Sequence, residues 1–134
     1  MNELILFGDV EDAARIFLEE ELVSVPVSVT IPPTRPDAFV VVFGVGRSRR
    51  DLVTESVMLR ADCYSTSESA AHDLSQRVRA LLRTLPSQTI STLIVYRHQE
   101  LSGPVMAPDE VSNQAMYTQT AVIDVRCKST ERMA

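Results

Sequence analysis

Apolar residues recur along this chain with two periods, one near 3.6 and one of 2, and the switches between them mark out its elements. Val10, Ala13, Ala14, Phe17 and Leu18 follow the helical period, and Asp9 stands where an N-cap is needed, so the spacing predicts an amphipathic helix from Asp9 to about Leu22. Val25, Val27, Val29 and Ile31 then alternate as in a strand, and Pro32-Pro33-Thr34-Arg35-Pro36 makes a stiff connection to the next element. Phe39 to Phe43 is β-branched and aromatic throughout, which predicts a central strand ending at Gly44-Val45-Gly46. Arg47-Ser48-Arg49-Arg50 reads as a basic loop. From Thr54 to Tyr64 the period is 2 again, with Val57, Leu59, Ala61 and Cys63 on one face and Ser56, Met58, Arg60 and Asp62 on the other.

Ser65-Thr66-Ser67-Glu68 has the form of a capping box, and Ala71, Leu74, Val78, Leu81, Leu82 and Leu85 make the apolar stripe of a second helix that Pro86 stops. Thr89 to Tyr96 predicts a further strand. Leu101 to Gln114, with Pro104 and Pro108, reads as a long connection of a length that is uncommon unless used. Met116 to Lys128 alternates cleanly as a closing strand, and Ser129 to Ala134 reads as a frayed tail. The expected fold is a single α+β domain over 1–134, with two helices on an antiparallel or mixed sheet of about five strands, in the order α-β-β-β-α-β-β. The first three strands are expected to form a meander, with the closing strand beside the third. Arg60 and Asp62 would then face Asp124 and Arg126 across the wet face.

Composition narrows the function. The chain has 134 residues, 13 basic and 18 acidic side chains and a formal charge of −5. Aromatics make up only 5% and Trp is absent, which disfavours a base-stacking platform. An acidic chain is also a poor generic nucleic-acid binder. Cys63 and Cys127 belong to no metal-ligand cluster, so they read as thiols of a reducing compartment, or as a bridge if their strands are neighbours. Met1 to Phe7 lacks the basic start and apolar stretch of a secretory signal, and no apolar run reaches the roughly 20 residues that cross a bilayer. A soluble cytoplasmic product without membrane contact is expected.

No motif in the chain names an enzyme, a metal or a cofactor. Gly44 to Arg50 lacks the Gly-Lys-Ser/Thr ending of a P-loop, and the element after it is a strand rather than a helix. His98-Gln99-Glu100 resembles the H-x-E of zinc deaminases, but no P-C-x-x-C comes after it. His72 and His98 have no further ligands at metal-binding spacing, and no serine sits in G-x-S-x-G. Asp109 and Glu110 read as solvated turn residues. What remains are protrusions suited to protein contacts: a cationic knob of Arg47, Arg49 and Arg50, an acidic helix end of Glu19, Glu20 and Glu21, and the connection carrying Pro104, Pro108, Asp109 and Glu110. The knob of one copy against the acidic helix end of the next would make a heterologous, ring-closing contact.

The long strand Thr54 to Tyr64 running into the capped helix Ser67 to Leu85, and the closing strand Tyr117 to Arg126, resemble the tail terminator, or tail completion, proteins of long-tailed bacteriophages and prophages, including small minor tail proteins of actinobacterial phages. The resemblance covers about residues 9 to 128. It implies a virion structural protein without an active site, one sector of a ring usually of six copies. That ring caps the tail tube, stops its polymerisation and offers a surface to the head-tail connector protein. Its implied partners are itself, the tail tube protein, the connector, and genomic DNA passing through the lumen without sequence-specific binding; it would be assembled in the host bacterial cytoplasm. The alternatives are a head-closure or head-to-tail joining neck protein, a small nucleic-acid-binding domain using the three arginines, and an enzyme whose site exists only in three dimensions near His72 or His98.

Overall fold

A computed structural model describes residues 3–107, 109 and 111–132. Among these residues two helices and eight strands alternate as β1 (Glu3–Leu6), α1 (Val10–Leu22), β2 (Val27–Ser28), β3 (Phe39–Arg49), β4 (Thr54–Ser65), α2 (Glu68–Leu82), a 3₁₀ turn Leu85–Ser87, β5 (Thr89–Ile90), β6 (Leu93–Ala107), β7 (Ala115–Arg126) and β8 (Ser129–Arg132). The α+β class is as expected. The main sheet, however, has six strands in the order β2-β3-β4-β7-β6-β5, and β1 and β8 form a separate two-stranded ribbon.

The centre of the sheet is the antiparallel pair β4 and β7, matched from Thr54↔Arg126 to Ser65↔Ala115 without a break. Its period-2 pattern puts Val57, Leu59, Ala61, Cys63, Ile123 and Val125 on one face, where all six are buried. Both helices cover that face. Val10, Ala13, Ala14, Phe17 and Leu18 of α1 and Ala71, Leu74, Val78 and Leu82 of α2 are buried against it, nearly all within one apolar cluster. On the opposite face a smaller cluster holds Phe39, Val41, Tyr64 and Met116. There the Phe39 and Tyr64 rings stack at 4.5 Å, and the Arg35 guanidinium lies 5.6 Å from the Tyr64 ring.

The cap of α1 is as read, with Asp9 accepting from the Asp12 N–H at 3.0 Å. For α2 the cap shifts. Ser65 stays in β4, paired with Ala115, so the expected capping box does not form; Ser67, in extended conformation, accepts from the Ala70 N–H at 3.1 Å instead. The meander also fails at its first step, because β2 runs parallel to β3, pairing Val27 with Val40. A parallel neighbour needs a crossover, which here is the proline-rich stretch after Ser28. Only Val27 and Ser28 of the expected strand Val25 to Ile31 join the ladder.

The larger corrections concern the loops. β3 does not stop at its glycines. A bulge between Gly44 and Gly46 carries it on to Arg49, and a Cβ at Gly44 would lie 3.1 Å from the Glu11 side chain. The expected long connection from Leu101 is strand as far as Ala107. Its turn-forming residues are absorbed by register breaks between Glu100 and Ser102 and between Ser102 and Val105, with Gly103 and Pro104 inside the second. The tail expected to fray at Ser129 instead pairs as β8 with β1, Leu4 opposite Glu131; Met133 and Ala134 lie outside the described residues. Cys63 and Cys127 do not meet: Cys63 faces Tyr117, while Cys127 comes after the other end of β7.

Two reversals run through the left-handed region without glycine. Val23 and Ser24 end α1 with φ of 44° and 68°, and Ser91 and Thr92 join β5 to β6 with φ of 44° and 69°. Two consecutive positive φ values in a two-residue hairpin loop are the type I′ pattern, which favours Asn-Gly and disfavours a β-branched residue. Replacing Ser91-Thr92 by Asn-Gly is therefore expected to stabilise the protein by about 1 kcal/mol, read as a higher urea midpoint. An unchanged or lower midpoint would contradict the strain.

Candidate functional site

The residues singled out from the sequence fall mainly at the two ends of the β3-β4-β7-β6 sheet. At the β3–β4 hairpin end, Arg47, Arg49 and Arg50 do not form one mobile knob. Arg47 and Arg49 pair with Val57 and Glu55 on the helix-covered face, whereas Arg50 bonds Asp124 across the other face. Arg47 donates to Glu55 Oε1 through Nε at 3.1 Å and Nη2 at 2.6 Å, and to the Gly8 carbonyl at 3.0 Å. Arg49 lies 5.5 Å from the Phe7 ring. Arg50 donates to Asp124 Oδ2 at 3.1 Å, and the Ser56 hydroxyl donates to Asp124 Oδ1 at 2.6 Å. Two of the three cations are thus tied to the buried carboxylates Glu55 and Asp124. That weakens a free phosphate-binding cluster, since each of those guanidinium groups already has a fixed counter-charge.

The cross-strand pairing expected of Arg60 and Asp62 is also different. The register sets Asp62 against Thr118 and Asp124 against Ser56, so Arg60 turns to its own strand and donates to Asp62 at 2.9 Å. The Thr118 hydroxyl donates to the same carboxylate at 2.7 Å.

Glu19, Glu20 and Glu21 close α1. Glu19 Oε2 accepts from the Val27 N–H at 3.0 Å, steering the chain from the helix into β2, and Glu20 and Glu21 are exposed beside a shallow groove against Gln88 and Ser91. Sequence reading missed the Glu19 role, because it depends on where Val27 lies in space.

At the far end of the sheet, Pro104 sits in the β6 bulge, and Asp109 is not a solvated turn residue. Its side chain is 9% exposed and accepts from Arg35 Nη1 and the Ser112 hydroxyl, each at 2.5 Å. Gln114 Nε2 donates to the Pro36 and Asp37 carbonyls at 2.8 and 3.2 Å. Together these bonds latch the β6–β7 connection to the proline-rich crossover. Pro108 and Glu110, marked from the sequence as contact residues, lie outside the described residues. Next to the latch a groove of about 590 Å³ opens between the first turn of α2 and the start of β7, with Met106, Ala107, Ala115 and Met116 among its lining.

No protein-family model and no curated protein matches the chain. Its chemistry must be judged from the side chains. Among the described residues, no group of three or more His, Cys, Asp and Glu side chains has the geometry of a metal site. His72 packs edge-on against Tyr117 at 5.4 Å. His98 shares a small cleft with Arg79, Arg83 and Glu100, and burial pushes its pKa down while the Glu100 carboxylate opposes the shift. Arg79 holds that carboxylate by two bonds, at 2.5 and 2.9 Å. Among the described residues, none lining this cleft offers a hydroxyl or thiol nucleophile.

The latch has a pH signature. The Ser112 hydroxyl, then Arg35, hold Asp109 below the ordinary carboxylate value against the opposing effect of burial. A depressed folded-state pKa contributes stability that is present above the unfolded value of about 3.9 and is lost as pH falls through the folded value. Asp109→Asn is expected to lower the urea midpoint at pH 6 and to flatten its decline below about pH 4 relative to the parent protein. Parallel declines for the two proteins would remove Asp109 from the account.

Proposed function

We propose that this protein is a virion structural subunit of the tail-terminator kind: it forms a ring, most simply of six copies, that caps the tail tube of a long-tailed phage, stops its polymerisation and offers a head-joining surface. The observation that carries this reading is the distribution of exposed apolar side chains. Tyr96, Leu101, Val105 and Met106 lie along β6, and Val111 just beyond it is 83% exposed. β5 covers only Leu93 and Ile94, so the remainder of β6 is the rim of the main sheet. A long rim strand bearing apolar side chains is an association surface or an aggregation hazard. Here its bulges and Pro104 blunt uncontrolled pairing while the apolar residues remain available to a specific partner.

In support of this reading, the polar groups with the strongest geometry serve the fold. Glu55, Asp124, Asp62 and Asp109 each hold an arginine, and the pairs of Glu55, Asp124 and Asp109 brace the two ends of the sheet. A subunit whose work is binding needs rigid ends more than a reactive cleft. The partners in this reading are further copies of the chain, the tail tube protein and the head-tail connector, with DNA passing through the lumen without base-specific contacts; assembly takes place in the host cytoplasm and the product resides in the virion tail. A neck protein is the nearest alternative, and the tube distinguishes the two.

Mixed with the tail tube protein of the same phage during polymerisation, the protein is expected to shorten the tubes in proportion to its concentration and to be seen at one tube end by electron microscopy. Tubes of unchanged length with bare ends would contradict a terminator role.

A further inference from the structure

The β3–β4 turn carries an exposed leucine on an unusually well-braced support. Leu52 is 70% exposed at the apex. Beneath it, Asp51 Oδ1 accepts from the Val53 and Thr54 N–H groups at 3.0 and 2.9 Å, and the Thr54 carbonyl accepts from the Arg50 and Asp51 N–H groups at 2.8 and 3.2 Å. An apolar side chain presented on a rigid turn loses little conformational freedom on docking, which is how an anchor residue gains affinity.

The complementary feature is the groove beside the latch. Met106, Ala107, Ala115 and Met116 line it at the ends of β6 and β7, together with Thr66, Ser67 and Glu68 at the start of α2. Gln114 lines it as well, held by its Nε2 donating to the Pro36 and Asp37 carbonyls.

The two features cannot meet within one molecule. Twelve residues of β4 separate them, roughly 40 Å at the usual strand rise. Their surroundings differ in net charge: the apex end carries Arg47, Arg49, Arg50, Arg97 and Arg126 against Asp51, Glu55 and Asp124, while the groove end carries Asp37, Asp62, Glu68 and Asp109 against Arg35 and Arg60.

We propose that the hairpin apex of one copy inserts Leu52 into the Met106–Met116 groove of a second copy, joining subunits head to tail. This inference rests on the ring-forming reading above and names the contact through which the ring would close. Two different patches at opposite ends make a heterologous interface, which propagates and closes when the rotation per subunit allows. It differs from the contact expected from sequence, in which the arginines meet Glu19, Glu20 and Glu21; Arg47 and Arg50 already pair with carboxylates of their own molecule.

The test compares the assembly of the parent chain, Leu52→Asp and Met106→Asp by light scattering across concentration, with circular dichroism confirming the fold. Both positions are exposed, so folding is expected to survive. Each variant is expected to raise the concentration needed for assembly by at least about tenfold, as the loss of one buried apolar anchor implies. In a Cys127→Ser background, Leu52→Cys mixed with Ala115→Cys is expected to form a disulfide between copies, whereas either variant alone is not. If the parent assembles and both Asp variants assemble equally well, the apex-to-groove contact is overturned while the ring-forming reading stands. A parent chain that stays monomeric throughout, yet still shortens tubes, overturns the contact without touching the terminator role.

Discussion

The uninterrupted antiparallel pairing of β4 with β7 is the constraint on which the rest of the structure depends. It fixes which side chains of both strands face the helices, and so where α1 and α2 seat. It also fixes where the sheet ends. The β3–β4 apex and the β6–β7 connection emerge at opposite ends of this one pair, and a one-residue slip would turn every core residue of a strand outward. Val57, Leu59, Ile123 and Val125 hold the register from one face, and the Ser56–Asp124 and Asp62–Thr118 bonds hold it from the other.

That central pair was the most legible part of the chain, because strict alternation over a dozen positions has a single structural meaning. The two helices were legible for the same reason: their stripes repeat long enough to outweigh uncertain ends. Where the sequence misled, local chemistry gave way to tertiary context. Gly44, Gly46, Gly103 and Pro104 signal breaks, yet β3 and β6 take them up as bulges because neighbouring strands keep pairing on either side. The β5–β6 hairpin has no Asn-Gly signal, and β8 is four exposed residues without alternation, so neither leaves a readable trace. The ion pairs of Arg50 and Asp109 join residues from different elements far apart in sequence, and that of Arg47 spans the β3–β4 turn, so no spacing rule reveals them.

Those ion pairs shift the functional emphasis. A run of three arginines in sequence suggests a cationic surface, but the strand alternation splits them between two faces and buried carboxylates hold two of them. Among the exposed features left over, several are apolar: the β6 rim, Val111 and Leu52. Exposed apolar groups on rigid supports favour a stable partner surface over a transient electrostatic encounter. The polar networks stiffen the two ends of the sheet, which is where the proposed subunit contacts lie.

The central claim is that copies of this chain close into a ring. Its most direct test is the mass of the purified protein in solution together with negative-stain images of the largest species. The account predicts a single closed ring with a central hole, six copies in mass, in equilibrium with monomer at low concentration. Open filaments, or a monomer at every concentration both alone and in the presence of tail tube, would contradict it.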